Sequence, residues 1–352
     1  MSYKNLIAQS CANKKELFCN LRDFLLKVNG SFNDYSTIGI GYTLWDASYA
    51  ADSDNPQSDD YFVLKSTGED GKILLYIRFL WTTYGVASKA YLSWDETAHA
   101  GSGSATHAGS DNYGIIVSDT DTNLKLFVFG DLDKIFACGH ETTDSNTSAL
   151  WVGRLDPPFD FQTGDIATCT SALTSGSDIS ITVDVIPSSW EVGREIYIST
   201  SHTTPVTTAK IEKTTIKTLV GLVITCDLTN AYTAESKLTD HHGIASTSGS
   251  QFGYIEVIID GSGTGGSSSD TSADGNYAGS YSDPGAYENR HGLAYATLSS
   301  LSGVFGGLPN VVKIGEGDLE SAISVLEESD GTMWRFFNCY SDRYHAVKEV
   351  DV

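Results

Sequence analysis

Leu17, Leu21, Phe24, Leu25 and Val28 fall at i, i+4, i+7, i+8 and i+11, the spacing of one helical face. Asn13 with Glu16 reads as a capping box in front of them, and Gly30 after Asn29 reads as the stop. Residues 1–30 are therefore expected to be an N-terminal helical segment. Its apolar face should pack on a sheet, within its own subunit as the simpler case or on a partner subunit.

After Gly30 the period changes from helix to strand. Ile73, Leu75, Ile77 and Phe79 alternate with Leu74, Tyr76, Arg78 and Leu80, so this segment carries apolar residues on both faces and should be covered on both. Tyr61–Leu64, Tyr113–Val117, Leu124–Phe129, Leu150–Leu155 and Tyr254–Ile259 are further predicted strands, and turn signals such as Thr67-Gly68-Glu69-Asp70-Gly71 separate them. The fold class expected is mainly β: an antiparallel, sandwich-like main domain with one N-terminal helix and an inserted small β-barrel. Residues 31–163 form its first part and residues 239–352 its second.

The insertion spans residues 164–238. Ile179, Ile181, Val183 and Val185 alternate strictly with polar residues, Pro187-Ser188-Ser189 makes a turn, and Trp190 to Ile198 reads as the next strand. Ile211, Ile216, Val223 and Ile224 mark later strands, closed by Leu228 to Ala234. Short strands at near-regular spacing suggest a small barrel. In the second part of the main domain, Leu319, Ala322, Ile323 and Leu326 fit a helical face, while Ile323 and Val325 alternate as in a strand.

In the run Gly261–Tyr281, Gly, Ser and Thr supply 14 of 21 positions, a composition that buries little and is expected to be a flexible loop. Ala100–Ser110 reads as a shorter version. Both should lie on the surface or become ordered against a neighbour.

Charge narrows the functions. The 352 residues carry 22 Lys plus Arg against 45 Asp plus Glu, a net charge of -23, and such a surface repels phosphate. No direct nucleic-acid partner is expected. No apolar run is long enough for a membrane span, and no apolar block at the N-terminus reads as a secretory signal. Cys11, Cys19, Cys138, Cys169, Cys226 and Cys339 form no CxxC pair and read as buried reduced thiols, with a Cys169–Cys226 pairing left open.

The candidate chemistry is thin. Gly261-Ser262-Gly263-Thr264-Gly265-Gly266 matches GxGxxG, but no helix pattern opens behind it to face a pyrophosphate. Cys138-Gly139-His140 would need a thiolate stabilised by a cation in a cleft. His241-His242 are adjacent, which on a strand points them to opposite faces. Asp119-Thr120-Asp121-Thr122-Asn123 begins like a calcium loop, but Leu124 stands where its glycine belongs, and Asp52-Ser53-Asp54-Asn55 is comparable. Solvated turns are the simpler account of both. Asn29-Gly30-Ser31 and Asn146-Thr147-Ser148 match glycosylation sequons and matter only in a eukaryotic secretory pathway. No catalytic, cofactor-binding or metal-binding residue is expected, and no cofactor.

Several stretches resemble the β-rich structural proteins of tailed-bacteriophage virions. Glu16-Leu17-Phe18-Cys19-Asn20-Leu21-Arg22-Asp23-Phe24 leads into Tyr42-Thr43-Leu44-Trp45-Asp46. Val192-Gly193-Arg194-Glu195-Ile196-Tyr197-Ile198 is followed by Ala209-Lys210-Ile211-Glu212-Lys213 and then Val223-Ile224-Thr225-Cys226-Asp227-Leu228-Thr229-Asn230-Ala231-Tyr232. The second pattern is similar to small barrels inserted into phage tail and other virion proteins. Asp131-Leu132-Asp133-Lys134 before Trp151-Val152-Gly153-Arg154-Leu155 is similar to such proteins as well. The resemblance covers about two-thirds of the chain loosely and carries no active site. It implies a tail, baseplate or neck component made in the host bacterial cytoplasm and located in the virion. It also implies a symmetric homo-oligomer whose partners are other virion structural proteins. Phe24, Tyr277, Tyr281 and Tyr287 are the candidate assembly contacts. The competing class is a surface glycan-binding or receptor-adhesion module, with Trp81, Tyr84 and Trp94 as rings that could stack on sugars.

Overall fold

A computed structural model describes residues 3–49, 55–68, 75–104, 114–117, 120–142, 147–154, 166–188, 190–200, 211–240, 244–248, 256–258, 294–300, 303–314, 323–327, 333–340 and 343–349. The chain begins with β1 (Lys4–Cys11), α1 (Lys14–Leu26), β2 (Thr43–Ala47), β3 (Tyr61–Ser66), β4 (Leu75–Thr82) and β5 (Gly85–Asp95). It continues through β6 (Ala100–Ser104), β7 (Ile115–Ile116), β8 (Leu124–Gly130), β9 (Lys134–Glu141) and β10 (Thr147–Arg154). The middle holds β11 (Ile166–Thr168), β12 (Gly176–Thr182), β13 (Glu195–Ser199), β14 (Ile211–Thr215), β15 (Thr218–Val220), β16 (Val223–Leu228) and β17 (Lys237–Thr239). The remainder is β18 (Ile244–Ser248), β19 (Glu256–Ile258), β20 (Ala294–Ser300), β21 (Gly303–Ile314), β22 (Ile323–Glu327), β23 (Met333–Tyr340) and β24 (Arg343–Glu349). The fold is mainly β with antiparallel sheets and one helix among the described residues.

Capping fixes where the helix starts. Asn13 accepts from the Glu16 amide at 3.0 Å, and the Glu16 carboxylate reaches back to the Ala12 amide at 2.9 Å. The far end differs from the sequence expectation. Lys27 adopts a left-handed conformation (φ 58°), and the Val28 amide closes on the Asp23 carbonyl at 3.1 Å, so the helix stops three residues before Gly30. Val28 lies beyond the helix and is exposed. Gly30 has a steric role instead, since a Cβ there would lie 1.8 Å from the Asp23 carboxylate.

Leu17, Phe18, Leu21, Phe24 and Leu25 are fully buried in one core with two sheets. One sheet runs β1-β8-β9-β10-β18 and the other β2-β3-β4-β5-β6, with β7 attached to β5. Leu75, Ile77, Phe79 and Trp81 of β4 face this core, while Tyr76 faces a separate aromatic cluster, so the strand is apolar on both faces as its pattern implies. The first sheet is likewise covered on its second face. Phe127, Phe129 and Phe136 pack around Phe337 of β23, with ring centroids 5.2, 6.0 and 5.5 Å from it. The sheet that delivers Phe337 has the order β19-β20-β21-β24-β23-β22. Its β22 resolves the ambiguous 319–326 segment: Ile323–Glu327 is a strand paired with β23, and Leu319 and Ala322 lie outside the described residues.

Several strands have no counterpart in the sequence reading, β1 and β9 among them. Lys4–Cys11 pairs with β8 although its only buried apolar residues are Leu6 and Cys11, and Lys134–Glu141 pairs on both sides. Ala100–Ser104, expected to be loop, is a strand paired with β5. It is stabilised by close approach, because Gly101 lies where a Cβ would meet the Tyr91 ring at 2.2 Å.

Residues 167–238 contain a hydrophobic cluster of their own, including Ile181, Trp190, Ile196, Ile198, Ile224 and Leu238. The strands around it form two open sheets, β11-β17-β13-β14 and β12-β16-β15, and no sheet is closed. The strand expected from Trp190 starts at Glu195 instead. Glu191 to Arg194 is a turn, with the Arg194 amide on the Glu191 carbonyl at 3.0 Å and Gly193 at φ 85° in its third position. That position of a type II turn needs a residue tolerant of positive φ. Cys11, Cys19, Cys138, Cys169 and Cys226 are buried free thiols, so Cys169 and Cys226 are not bridged. Burial pushes the Cys169 thiol up to about 11 and those of Cys11 and Cys226 up to about 12.

Candidate functional site

Three places bring chemistry-bearing side chains together. The first explains the Glu212 to Tyr232 motif. Glu212 stands on β14, and its carboxylate takes donors from one turn: the Thr229 amide and hydroxyl, each at 2.5 Å, the Asn230 amide at 3.0 Å, the Asn230 side chain at 3.2 Å and the Tyr232 hydroxyl at 3.0 Å. Burial opposes ionisation of Glu212, but the bonds from Thr229, Tyr232 and Asn230 outweigh it and hold the carboxyl below its ordinary range. This is an anchoring site, with its charge spent on the chain's own backbone.

The second is the face of the β2–β6 sheet turned away from the helix. A register shift between Leu44 and Asp46 inserts Trp45 as an extra residue opposite β3. Such a bulge re-aims side chains, and Asp46 sits opposite Val63 on this face. Val63, Tyr76, Tyr91 and Trp94 are buried there, and Trp45 and Tyr61 half-buried. The Lys65 ammonium lies 3.5 Å from the centre of the Trp45 ring and 5.8 Å from that of Tyr76. One Asp46 oxygen accepts from Trp94 Nε1 at 2.8 Å and meets His99 Nδ1 at 2.9 Å, with the Tyr61 hydroxyl at 3.5 Å.

The third is apolar and exposed. Val220 (74% exposed) and Leu222 (50%) flank the Gly221 turn between β15 and β16. The Val183 amide bonds the Leu222 carbonyl at 3.0 Å, and Val185, two residues further along, is exposed as well. Exposed Val192 belongs to the same 167–238 unit. Side chains of this size in water mark contact surfaces when they cluster.

The expected site residues are distributed differently. Phe24 is fully buried within its own chain, edge-on to Tyr35 at 5.6 Å, and offers no surface for assembly. Tyr277, Tyr281 and Tyr287, the Gly261–Tyr281 run with its GxGxxG match, and His241-His242 lie outside the described residues. Of the candidate sugar-stacking rings, Trp81 is core against Phe18 at 5.6 Å, Trp94 is buried in the aromatic face, and Tyr84 is 60% exposed. Cys138 is fully buried, and His140 contacts the Thr147 hydroxyl at 3.0 Å. Asn123 turns at φ 58° with its carbonyl bonded to Thr142, while Asp119, Asp52, Ser53 and Asp54 lie outside the described residues. Of the sequons, Asn29 is exposed in an isolated bridge to Asp34, and Asn146 lies outside the described residues. Among the described residues no three His, Cys, Asp or Glu side chains gather to hold a metal ion, and no helix is long and apolar enough to cross a membrane.

The Asp46 and Glu212 sites were not legible as sites beforehand. A bulge and a turn-to-strand clamp leave no spacing signature, and only the DLTNAY run hinted at the second. No protein-family model matches the chain, and no curated protein matches it.

Proposed function

We propose that the chain is a structural component of a tailed-phage virion, in the tail, baseplate or neck, assembled by protein–protein contacts into a symmetric oligomer with other virion proteins as neighbours. The observation that carries this reading is the exposed apolar tip of the 167–238 unit, Val220 and Leu222 around Gly221. A side chain 74% exposed gains nothing from its own fold, and burying it against a partner would. The strand-and-turn motifs add support, since Glu212 joins two of the stretches that resemble virion proteins. Val220→Asp and Leu222→Asp should leave melting within about 0.5 kcal/mol of the parent, as surface changes do, while abolishing the oligomer in sedimentation. Unchanged sedimentation of both variants would remove this surface from the account.

The finer architecture belongs to the same proposal: a sandwich-like main domain, residues 31–163 and 239–352, interrupted by a self-contained unit at 164–238. The separate core at residues 167–238 supports it. Replacing that unit with a short Gly-Ser linker should leave the remainder folded and cooperative in calorimetry. Global unfolding of the deletant would place those strands in the main core.

A glycan-binding or receptor-adhesion module is the second reading, favoured by half-buried Trp45 and Tyr61 and by exposed Tyr84. Binding of host polysaccharide by the isolated chain would promote it.

A further inference from the structure

The end of β5 does something the sheet order alone does not require. β3 and β5 are separated by β4, yet Trp94 on β5 lies 6.2 Å from Tyr61 on β3 and bonds Asp46 on β2. The β5–β6 hairpin therefore curls over the face of its own sheet. Underneath, Trp94 meets Tyr91 edge-on at 5.3 Å, and Gly101 lies against the Tyr91 ring.

Two of the hairpin's hydrogen bonds converge on one atom. Asp46 Oδ2 receives Trp94 Nε1 from the strand and His99 Nδ1 from the turn. His99 reaches it from the hairpin turn with a left-handed backbone (φ 51°), uncommon for a residue with a side chain. The Asp46 carboxylate is itself nearly buried, 8% exposed, whereas the His99 ring is 57% exposed.

We propose that the β5–β6 hairpin is a flap, held closed over the aromatic face by its two hydrogen bonds to Asp46 and released when that carboxylate is protonated. Geometry sets the direction. A protonated carboxyl loses its charge-assisted acceptor role, and both bonds weaken together. Burial opposes ionisation of Asp46, but the bonds from His99 and Trp94 hold its carboxyl below the ordinary range. The closing interaction is thus complete above the usual carboxylate range and is lost as pH falls through the lowered value. The other titratable or charged groups around it are Tyr61 and Lys65 on β3, Arg78 on β4, Lys89 beside Tyr91 on β5, and Asp95. Asp95 binds the Thr97 and Ala98 amides within the turn. Release would expose Tyr61, Tyr91 and Trp94, an apolar surface absent from the closed form. The inference stands apart from the assembly reading.

Hydrogen exchange on the full chain tests it. In Asp46→Ala at neutral pH, amides of 93–104 should exchange about tenfold faster or more while β8–β10 keep their protection. Wild type titrated to acid, corrected for intrinsic rates, should behave likewise only once pH falls through the lowered Asp46 value, below the ordinary carboxylate range. His99→Ala should add nothing in the Asp46→Ala background, because both act through one oxygen. Trp94→Phe, which keeps one aromatic ring but removes the indole N–H together with part of the ring system, loosens the hairpin by less and serves if Asp46→Ala does not fold. Unchanged protection of 93–104 in Asp46→Ala or Trp94→Phe overturns the flap, as does simultaneous loss of protection in the hairpin and in β8–β10.

Discussion

Phe24→Asp should destabilise the chain by about 3 kcal/mol or more, the cost of a buried unpaired charge together with a lost aromatic contact. Phe24 has no exposed surface, stands edge-on to Tyr35 at an interplanar angle of 89°, and shares its core with Leu21 and Leu25. Its own carbonyl also accepts the Ile40 amide at 3.0 Å, so the segment after the helix is docked on the same residue. Leu21→Asp should cost a similar amount, because Leu21 is equally buried. Urea unfolding of the isolated chain checks both. A variant that unfolds with the parent's midpoint would mean that this face is not packed within the subunit at all.

Glu212→Ala should cost about 2 kcal/mol or more, confined to the 167–238 unit. Alanine removes the acceptor for two amides, two side chains and the Tyr232 hydroxyl at one stroke, and Tyr232 is buried. Glu212→Gln keeps one carbonyl oxygen and should cost less. A pH dependence follows from the lowered carboxyl of Glu212. Its contribution is fully present above the unfolded value of about 4.3 and disappears as pH falls through the lower folded value. The acid limb of the unit's stability curve should therefore flatten in Glu212→Ala. A parent-like acid limb in the alanine variant would show that the clamp contributes little.

Legibility followed burial. The helix was readable because its buried face and its cap are local: Leu17 to Leu25 repeat with the helical period, and Asn13 bonds three residues on. The helix end was not, because Gly30 looks like a stop while a Schellman closure at Lys27, a poor prior for positive φ, ended the helix first. Strands buried on both faces, such as β4 and β8, announced themselves as apolar runs. β1 did not, because its partner β8 is distant in sequence, and β6 did not, because its Gly and Ser residues carry no alternating apolar pattern and lean on the Tyr91 ring over Gly101. The same holds for function. Asp46, Trp94 and His99 are 48 and 53 residues apart in sequence and converge only after a bulge and a curled hairpin, so no spacing rule could gather them. The exposed tip at Val220 and Leu222 was hidden as well. Only Val223 and Ile224 beyond it were read as strand residues, and nothing in the sequence marked the turn at Gly221 that leaves Val220 and Leu222 in solvent.

The proposed virion role is tested most directly by quantitative mass spectrometry and cross-linking of intact purified particles. The account expects the chain at a fixed stoichiometry that matches a ring symmetry, with cross-links between copies that include residues of the 167–238 unit. A chain absent from purified particles and monomeric in solution would contradict it.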